Sequence, residues 1–345
     1  MRTTVARLVT LALLLAACSP SESVDSTTTS TSTTSTSSTT STSTTSTTLG
    51  EPETSLINGL PVLDPTLLDR RVLAVKIDNH PNARPHSGID QADMVIEMLV
   101  EGITRFITIW HESDVEYLGP NRSGRPTDAN LLPAFNEPTF TISGAQGWVQ
   151  NMITGNGVSL VKELSEGTFR ISGRGAPHNL YVDTFTLRET ADEREYPNEP
   201  PEGPIWEFGP MPATAAPASS VSIGFSGSPV VWEWDETEGL WLRSISGRES
   251  MVRDQEGEET RVGVPVMVAL YTKQYTINGL PSSEVTGTGE AYVFANGKYV
   301  QGTWERQELT EWFTLTDADG NVMVVPPGKV WVSLVPTSQG LEIAE

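Results

Sequence analysis

Cysteine is all but missing from this chain. Cys18 is the only one in 345 residues, so no disulfide can staple the fold and no other thiol is available as nucleophile or metal ligand. Histidine is nearly as scarce, with His80, His86, His111 and His178 the full set. Positive charge is thin: 22 Lys and Arg face 44 Asp and Glu, a formal net charge of −22. A chain so acidic repels nucleic acid and anionic head groups at long range, which excludes a general nucleic-acid binder. Only 5 of the cations are lysines and 17 are arginines. Arginine suits bidentate contacts to carboxylate or phosphate, although a compositional bias accounts for the ratio as well. The Gly-x-Ser-x-Gly elbow, the His-Glu-x-x-His pair and the P-loop are all absent.

What is present begins with an address. Arg2 and Arg7 precede an apolar run, Leu8–Ala17, that is too short to span a bilayer as a helix. Small residues precede Cys18, as in a cleaved secretory leader covering residues 1–17. Leu15-Ala16-Ala17-Cys18 resembles the bacterial lipobox, in which the Cys sulfur is diacylated and becomes the new N-terminus. That implies a protein held on the extracytoplasmic face of the cell membrane through lipid on Cys18, without spanning it. Residues 18–53 form a tether, almost wholly Ser and Thr between Ser19 and Leu49. Such a stretch has no core to bury and is expected to be disordered, with its ends about 30 Å apart.

Beyond the tether the periodicity changes twice. Residues 54–196 predict an α/β or α+β domain, with strands at Val72–Asp78, Met94–Val100, Ile103–His111 and Pro138–Ser143. Helices are expected at Thr127–Phe135, Ala145–Ile153 and Asp183–Glu193. Residues 197–218 are rich in Pro, Glu and Ala and read as a linker, with Trp206 and Phe208 docking part of it. Residues 219–340 predict a mainly antiparallel β domain. Its strands are expected at Val221–Phe225, Val230–Asp235, Leu240–Ile245, Val264–Ile277, Glu290–Phe294, Lys298–Glu305, Trp312–Leu315, Val322–Val325 and Val330–Val335. Glu238-Gly239, Asn296-Gly297 and Asp319-Gly320 mark hairpin turns.

Chemistry concentrates between Val75 and Pro126, where three of the four histidines and four arginines fall. The motifs there are Asp78-Asn79-His80-Pro81-x-Ala83-Arg84-Pro85, Gln91-Ala92-Asp93, Glu101-Gly102-Ile103-Thr104-Arg105-Phe106 and Gly119-Pro120-x-Arg122-Ser123-x-Arg125-Pro126. Ala176-Pro177-His178-Asn179-Leu180-Tyr181 follows, then Gly287-x-Gly289-Glu290-Ala291, Gly302-Thr303-Trp304 and Pro327-Gly328-x-x-Trp331. Together they resemble the YerB-like bacterial lipoproteins, over about Leu56–Pro336. The resemblance implies lipoprotein export and an N-terminal plus a C-terminal domain, and no known reaction.

Several assignments follow from residue type. Arg84, Arg105, Arg122 and Arg125 could converge on an anion, with Asn79, Ser123 and Asn179 supplying hydrogen bonds. The alternative is ion pairing with Asp78, Asp93, Glu97 and Glu101. Asp78, His80 and His178 are the candidate catalytic groups, the histidines as an acid/base pair or as ligands; the alternative is histidines bonded to backbone in rigid turns. Asp78 and Asp93 are expected to cap turns, with a divalent metal between them as the alternative; no cofactor is expected. Ser123 has no assignable base. Three functions stay open: a binder of an anionic cell-wall ligand, a phosphotransferase or hydrolase acting on pyrophosphate-linked or polymeric envelope substrates, and a structural scaffold.

Overall fold

The computed structural model describes residues 53–163 and 165–345. The expected leader, the lipidated Cys18 and the tether up to residue 52 lie outside the described residues. Among the described residues no helix is long and apolar enough to cross a membrane.

The N-terminal strands form where the sequence alternates. β1 (Leu73–Ile77), β2 (Met94–Leu99) and β3 (Thr104–Trp110) lie side by side, β3 antiparallel to both neighbours. β4 (Thr139–Ile142) and β5 (Ser159–Lys162) extend the sheet in parallel beyond β1. Three helices complete this half: α1 (Pro126–Leu131), α2 (Gly147–Gly155) and α3 (Thr184–Glu193). α3 starts where Asp183 Oδ1 accepts the Phe185 amide at 2.9 Å. A small hairpin, β6 (Thr168–Arg170) with β7 (Leu180–Val182), closes one end.

Alternation gives the sheet two apolar faces. Ala74, Ile96, Ile107 and Ile109 pack with Leu131, Phe140 and Val149, on the side of α1 and α2. Leu73, Val75, Ile77, Phe106 and Trp110 pack with Trp232, Trp241 and Trp331 on the other side. That second face is covered by a smaller sheet whose strands include Ser220–Ile223, Val230–Asp235 and Leu240–Ile245.

The C-terminal region carries the expected antiparallel meander, in which Val266–Thr272, Gly287–Ala295, Lys298–Arg306 and Thr314–Asp317 pair in turn. Asn296-Gly297 forms the two-residue turn between the middle pair, with φ of 54° and 65°. Val330–Pro336, however, is not antiparallel to anything. It inserts between β2 and Val266–Thr272, parallel to both, and every one of its residues is buried. The two regions expected as separate domains therefore share one 11-stranded sheet, and the described residues form one compact unit. The physical reason lies in β2, whose residues are buried except for a half-buried Leu99; its outer edge needs a backbone partner, which only the C-terminal strand supplies.

The Pro-rich stretch between them is packed. Trp206 is buried, donates from Nε1 to the Phe313 carbonyl at 2.8 Å and meets the Trp312 ring edge-on. Ala216–Pro217 pairs with the start of Lys298–Arg306. Elsewhere the boundaries moved. The long run from Val264 breaks at Lys273 and folds back through Asn278-Gly279 onto Leu280–Ser283. Val322 makes only an isolated bridge to Thr316. The chain past residue 340 forms a strand, Leu341–Ala344, on the edge of the smaller sheet.

Candidate functional site

β1 runs out at Ile77, and the next two residues leave it on opposite faces of the sheet. Asp78 follows Lys76 to the helix side; Asn79 follows Ile77 to the other. Everything the sequence placed near this point sorts by that parting.

The segment after Leu118 crosses the end of β1. The Asp78 amide donates to the Pro120 carbonyl at 2.9 Å and the Arg122 amide to the Lys76 carbonyl at 2.8 Å. Between them Asn121, fully buried, donates from Nδ2 to the carbonyls of Lys76 (2.9 Å) and Thr141 (3.0 Å), while its amide donates to Leu180 O. The segment can pass because position 119 is glycine: a Cβ there would stand 2.8 Å from the Tyr181 ring. This crossing brings Arg122 and the start of β7 to Asp78.

The Asp78 carboxylate is 1% exposed and fully engaged. Oδ1 accepts the His80 amide at 3.1 Å, and Oδ2 meets His178 Nδ1 at 2.7 Å and Arg122 Nε at 3.4 Å. Burial pushes its pKa up, but the His80 amide, His178, Arg122 and Arg105 outweigh that and hold it below the usual carboxylate value. The His80 and His178 rings stack with centroids 4.7 Å apart and planes 16° apart. Arg174 straps the two loops together by donating to the carbonyls of Ala83 and Pro85.

The arginines do not form one free cluster. Arg125 and Arg105 both pair with Glu101, at 2.5 and 3.5 Å, and Arg105 also donates to the Ser123 carbonyl at 3.1 Å. Arg122 is the exception. Its side chain is 23% exposed and its ion pair with Asp78 is long, while its buried Nε, like that of Arg105, has no hydrogen-bond partner. Ser123 Oγ meets only Ser143 Oγ, at 3.4 Å, so neither histidine activates it. Asn179 turns away from Asp78: Oδ1 accepts Arg170, and Nδ2 reaches the Ile171 carbonyl, so it serves the β6–β7 hairpin.

On the other face Asn79 and Arg84 belong to a closed chain of bonds. Arg84 donates to Asn79 Oδ1 (2.9 Å) and to its carbonyl (2.7 Å); Asn79 Nδ2 donates to Thr104 Oγ1 (2.7 Å). Thr104 donates to Glu97 Oε1 (2.7 Å), which also takes Arg243 (2.6 Å), while Oε2 takes Trp331 Nε1 (3.0 Å). Burial, with Arg243 nearby, brings the Arg84 pKa down to about 10. His86 donates from Nε2 to the Asp78 carbonyl at 2.8 Å, and burial lowers its pKa to about 3, so it stays neutral. His111 is buried between the Arg70 carbonyl and Glu112.

Asp93 is not a neighbour of Asp78. In the strand register Asp78 is level with Arg105 and Asp93 with Trp110. Five positions along β3 is about 17 Å at roughly 3.4 Å per residue, far beyond what one metal ion bridges. Asp93 instead accepts the amides of His111, Glu112 and Ser113 through Oδ2. Among the described residues no three His, Cys, Asp or Glu side chains gather as a metal site requires.

Two family profiles cover most of the chain. Residues 57–197 match the N-terminal domain, and 221–332 the C-terminal domain, of the family described as protein of unknown function DUF3048. This chain is a DUF3048 protein. It is 24% identical over 287 residues, 80% of this chain and 85% of the relative, to "Putative lipoprotein YerB" of Bacillus subtilis (strain 168). The crystal structure of YerB from Bacillus subtilis has the same fold, with a TM-score of 0.73 at 24% identity, covering 84% of this chain and 99% of that one.

Motif reading of this DUF3048 chain missed one further pair. Lys76 and Asp128, both fully buried, meet at 2.6 Å on the helix face beneath the site. Asp128 Oδ2 also accepts the Arg125 amide at 2.7 Å, so the pair fixes where the arginine loop enters α1. Burial lowers the Lys76 pKa to about 8 in spite of Asp128. The sequence signal was a lysine at an inward position of a buried strand, one of only 5 in the chain.

Proposed function

We propose that this chain is a lipid-anchored protein on the extracytoplasmic face of the membrane, which binds an anionic ligand of the cell envelope at the rim formed by Arg122, His178 and His80. The anchoring rests on Leu15-Ala16-Ala17-Cys18 and on the name that its Bacillus relative carries. The binding rests on one observation: Arg122 is 23% exposed and held only by a long pair with Asp78, where Arg84, Arg105 and Arg125 each donate to partners within the fold. In a chain of net charge −22, a guanidinium beside two half-buried imidazoles is a local positive spot that draws anions.

Two measurements test this. Replacing Cys18 by Ala in the full-length chain should shift it from the membrane to the soluble fraction; a wild-type protein with no acyl chain by mass spectrometry overturns the anchoring. Calorimetric binding of poly(glycerol phosphate) should be lost in Arg122→Gln at unchanged melting temperature. Equal binding by the wild type and Arg122→Gln removes this rim from the argument.

A further inference from the structure

The two stacked imidazoles are held in opposite proton states by their neighbours. An ionised carboxylate only accepts, so His178 Nδ1, 2.7 Å from Asp78 Oδ2, must carry the proton, which leaves Nε2 of the neutral ring as a lone-pair acceptor. A backbone amide only donates, so His80 Nδ1, which receives the Asn82 N–H at 3.1 Å, must be bare, and the neutral ring carries its proton on Nε2. The pair thus offers one base and one donor from rings 4.7 Å apart. The His178 side chain is 13% exposed, against 1% for Asp78, so the base opens outward and its orienting acid does not. An acid-oriented imidazole with its far nitrogen free is the arrangement that general-base catalysis needs.

Charge selects the substrate. Around this point Arg105, Arg122, Arg125 and Arg174 stand against Asp78 and Glu101, so cations outnumber anions. That excess suits the negative charge of a phosphodiester.

We propose, resting on the binding reading of the same rim, that the site hydrolyses a phosphodiester with His178 as the base. Arg122 holds a non-bridging oxygen of the substrate. A water oxygen forms a bond to phosphorus while its proton passes to His178 Nε2. His80 Nε2–H donates to the phosphoryl oxygen that gains charge. The P–O bond to the leaving alcohol breaks on the far side of phosphorus, its oxygen takes a proton from solvent, and His178 returns its own proton to solvent. The products are a phosphomonoester and an alcohol. Asp78 is a positioning residue, acting only through the His178 ring.

The test uses the full-length chain with bis(p-nitrophenyl) phosphate, following binding by calorimetry and turnover by p-nitrophenol release. Imidazole tautomers are read by long-range proton–nitrogen correlation. We expect turnover by the wild type, a fall of about 100-fold or more in His178→Gln with binding kept, and about 10-fold in His80→Gln. His178 should show the Nδ1–H tautomer and His80 the Nε2–H tautomer, and Asp78→Asn should lose the first and keep the second. Added imidazole should restore part of the rate to His178→Ala, an effect that a merely structural role would not give. Binding without turnover overturns the hydrolytic step and leaves the binding reading standing; no binding overturns both. Wild-type rate in His178→Gln, or an Nε2–H tautomer at His178, overturns the assignment of the base.

Discussion

Asp78 and Asn79 are neighbours in sequence, yet the networks they enter are built on different terms. Asn79 opens a chain through Thr104, Glu97 and Arg243 in which each side chain is bonded to the next, with Arg243 Nε alone left without a partner. Glu97 and Arg243 have 0% and 1% side-chain exposure, and the guanidinium lies among the rings of Phe106, Trp232 and Trp331. Asp78 gathers a partly exposed arginine and two half-buried imidazoles, each bonded through Nδ1. Near-complete saturation within the core marks the one face as structure, and partial exposure of Arg122 and His178 marks the other as the place where something outside the chain is met.

The contrast can be broken by substitution. The largest effect belongs to the saturated face. Glu97→Leu strands the Arg243 charge among aromatic rings and should cost roughly 3–5 kcal/mol, seen as a lower urea midpoint. A small change there would mean that water reaches Arg243 and that the face is not closed. Lys76→Met should cost about as much by stranding Asp128, whereas Lys76→Met with Asp128→Leu should recover most of it, because two apolar side chains replace a buried pair at little cost. Asn79→Ala, which removes the partner of both Thr104 and Arg84, is expected to cost about 1–3 kcal/mol in the same assay without altering the His178 tautomer. On the open face, Arg122→Gln should cost under about 1 kcal/mol while abolishing poly(glycerol phosphate) binding, since an exposed, poorly aligned ion pair contributes little. Comparable losses of stability from Arg122→Gln and Glu97→Leu would erase the distinction. The smallest effect is in acid. The folded pKa of Asp78 lies below its ordinary 3.8, so its contribution to stability is present above that value and is lost as pH falls through the folded pKa. Asp78→Asn should flatten that part of the unfolding curve below about pH 4.

How much of this was readable depended on range. Alternation located β1, β2 and β3 to within a residue or two and separated the faces of β3, because period-two burial is written locally. Asp78 was rightly read as a strand-end residue. The same alternation, continued one step, puts Asn79 on the far face, so its membership of the other network was implicit in the sequence. His178 meeting Asp78 was not, since the two are 100 residues apart and only the crossing at Gly119–Arg122 joins them. Asn179 misled because adjacency to His178 says nothing about direction: successive side chains diverge. The Asn278-Gly279 turn lies just past the expected Val264–Ile277 strand, so it gave no sign of the break at Lys273 within that run. The packed stretch around Trp206 reads as a linker because docking on a remote surface leaves no periodicity behind.

The strand Val330–Pro336 also sets an order of events. β2 finds β3 after a four-residue turn, but its other neighbour lies at Met94↔Val330, near the far end of the chain. A chain emerging from its N-terminus must therefore keep β2 waiting, half-paired, until almost everything else has been made. Pairing at such sequence separation is slow, and an open apolar edge is an invitation to strands of other copies. A product that stops between His178 and Val330, by early termination or by clipping, retains Asp78, His178 and all four site arginines and still lacks the strand that closes their sheet. Such a fragment should be held by chaperones or found in aggregates rather than act as a smaller working version of the protein.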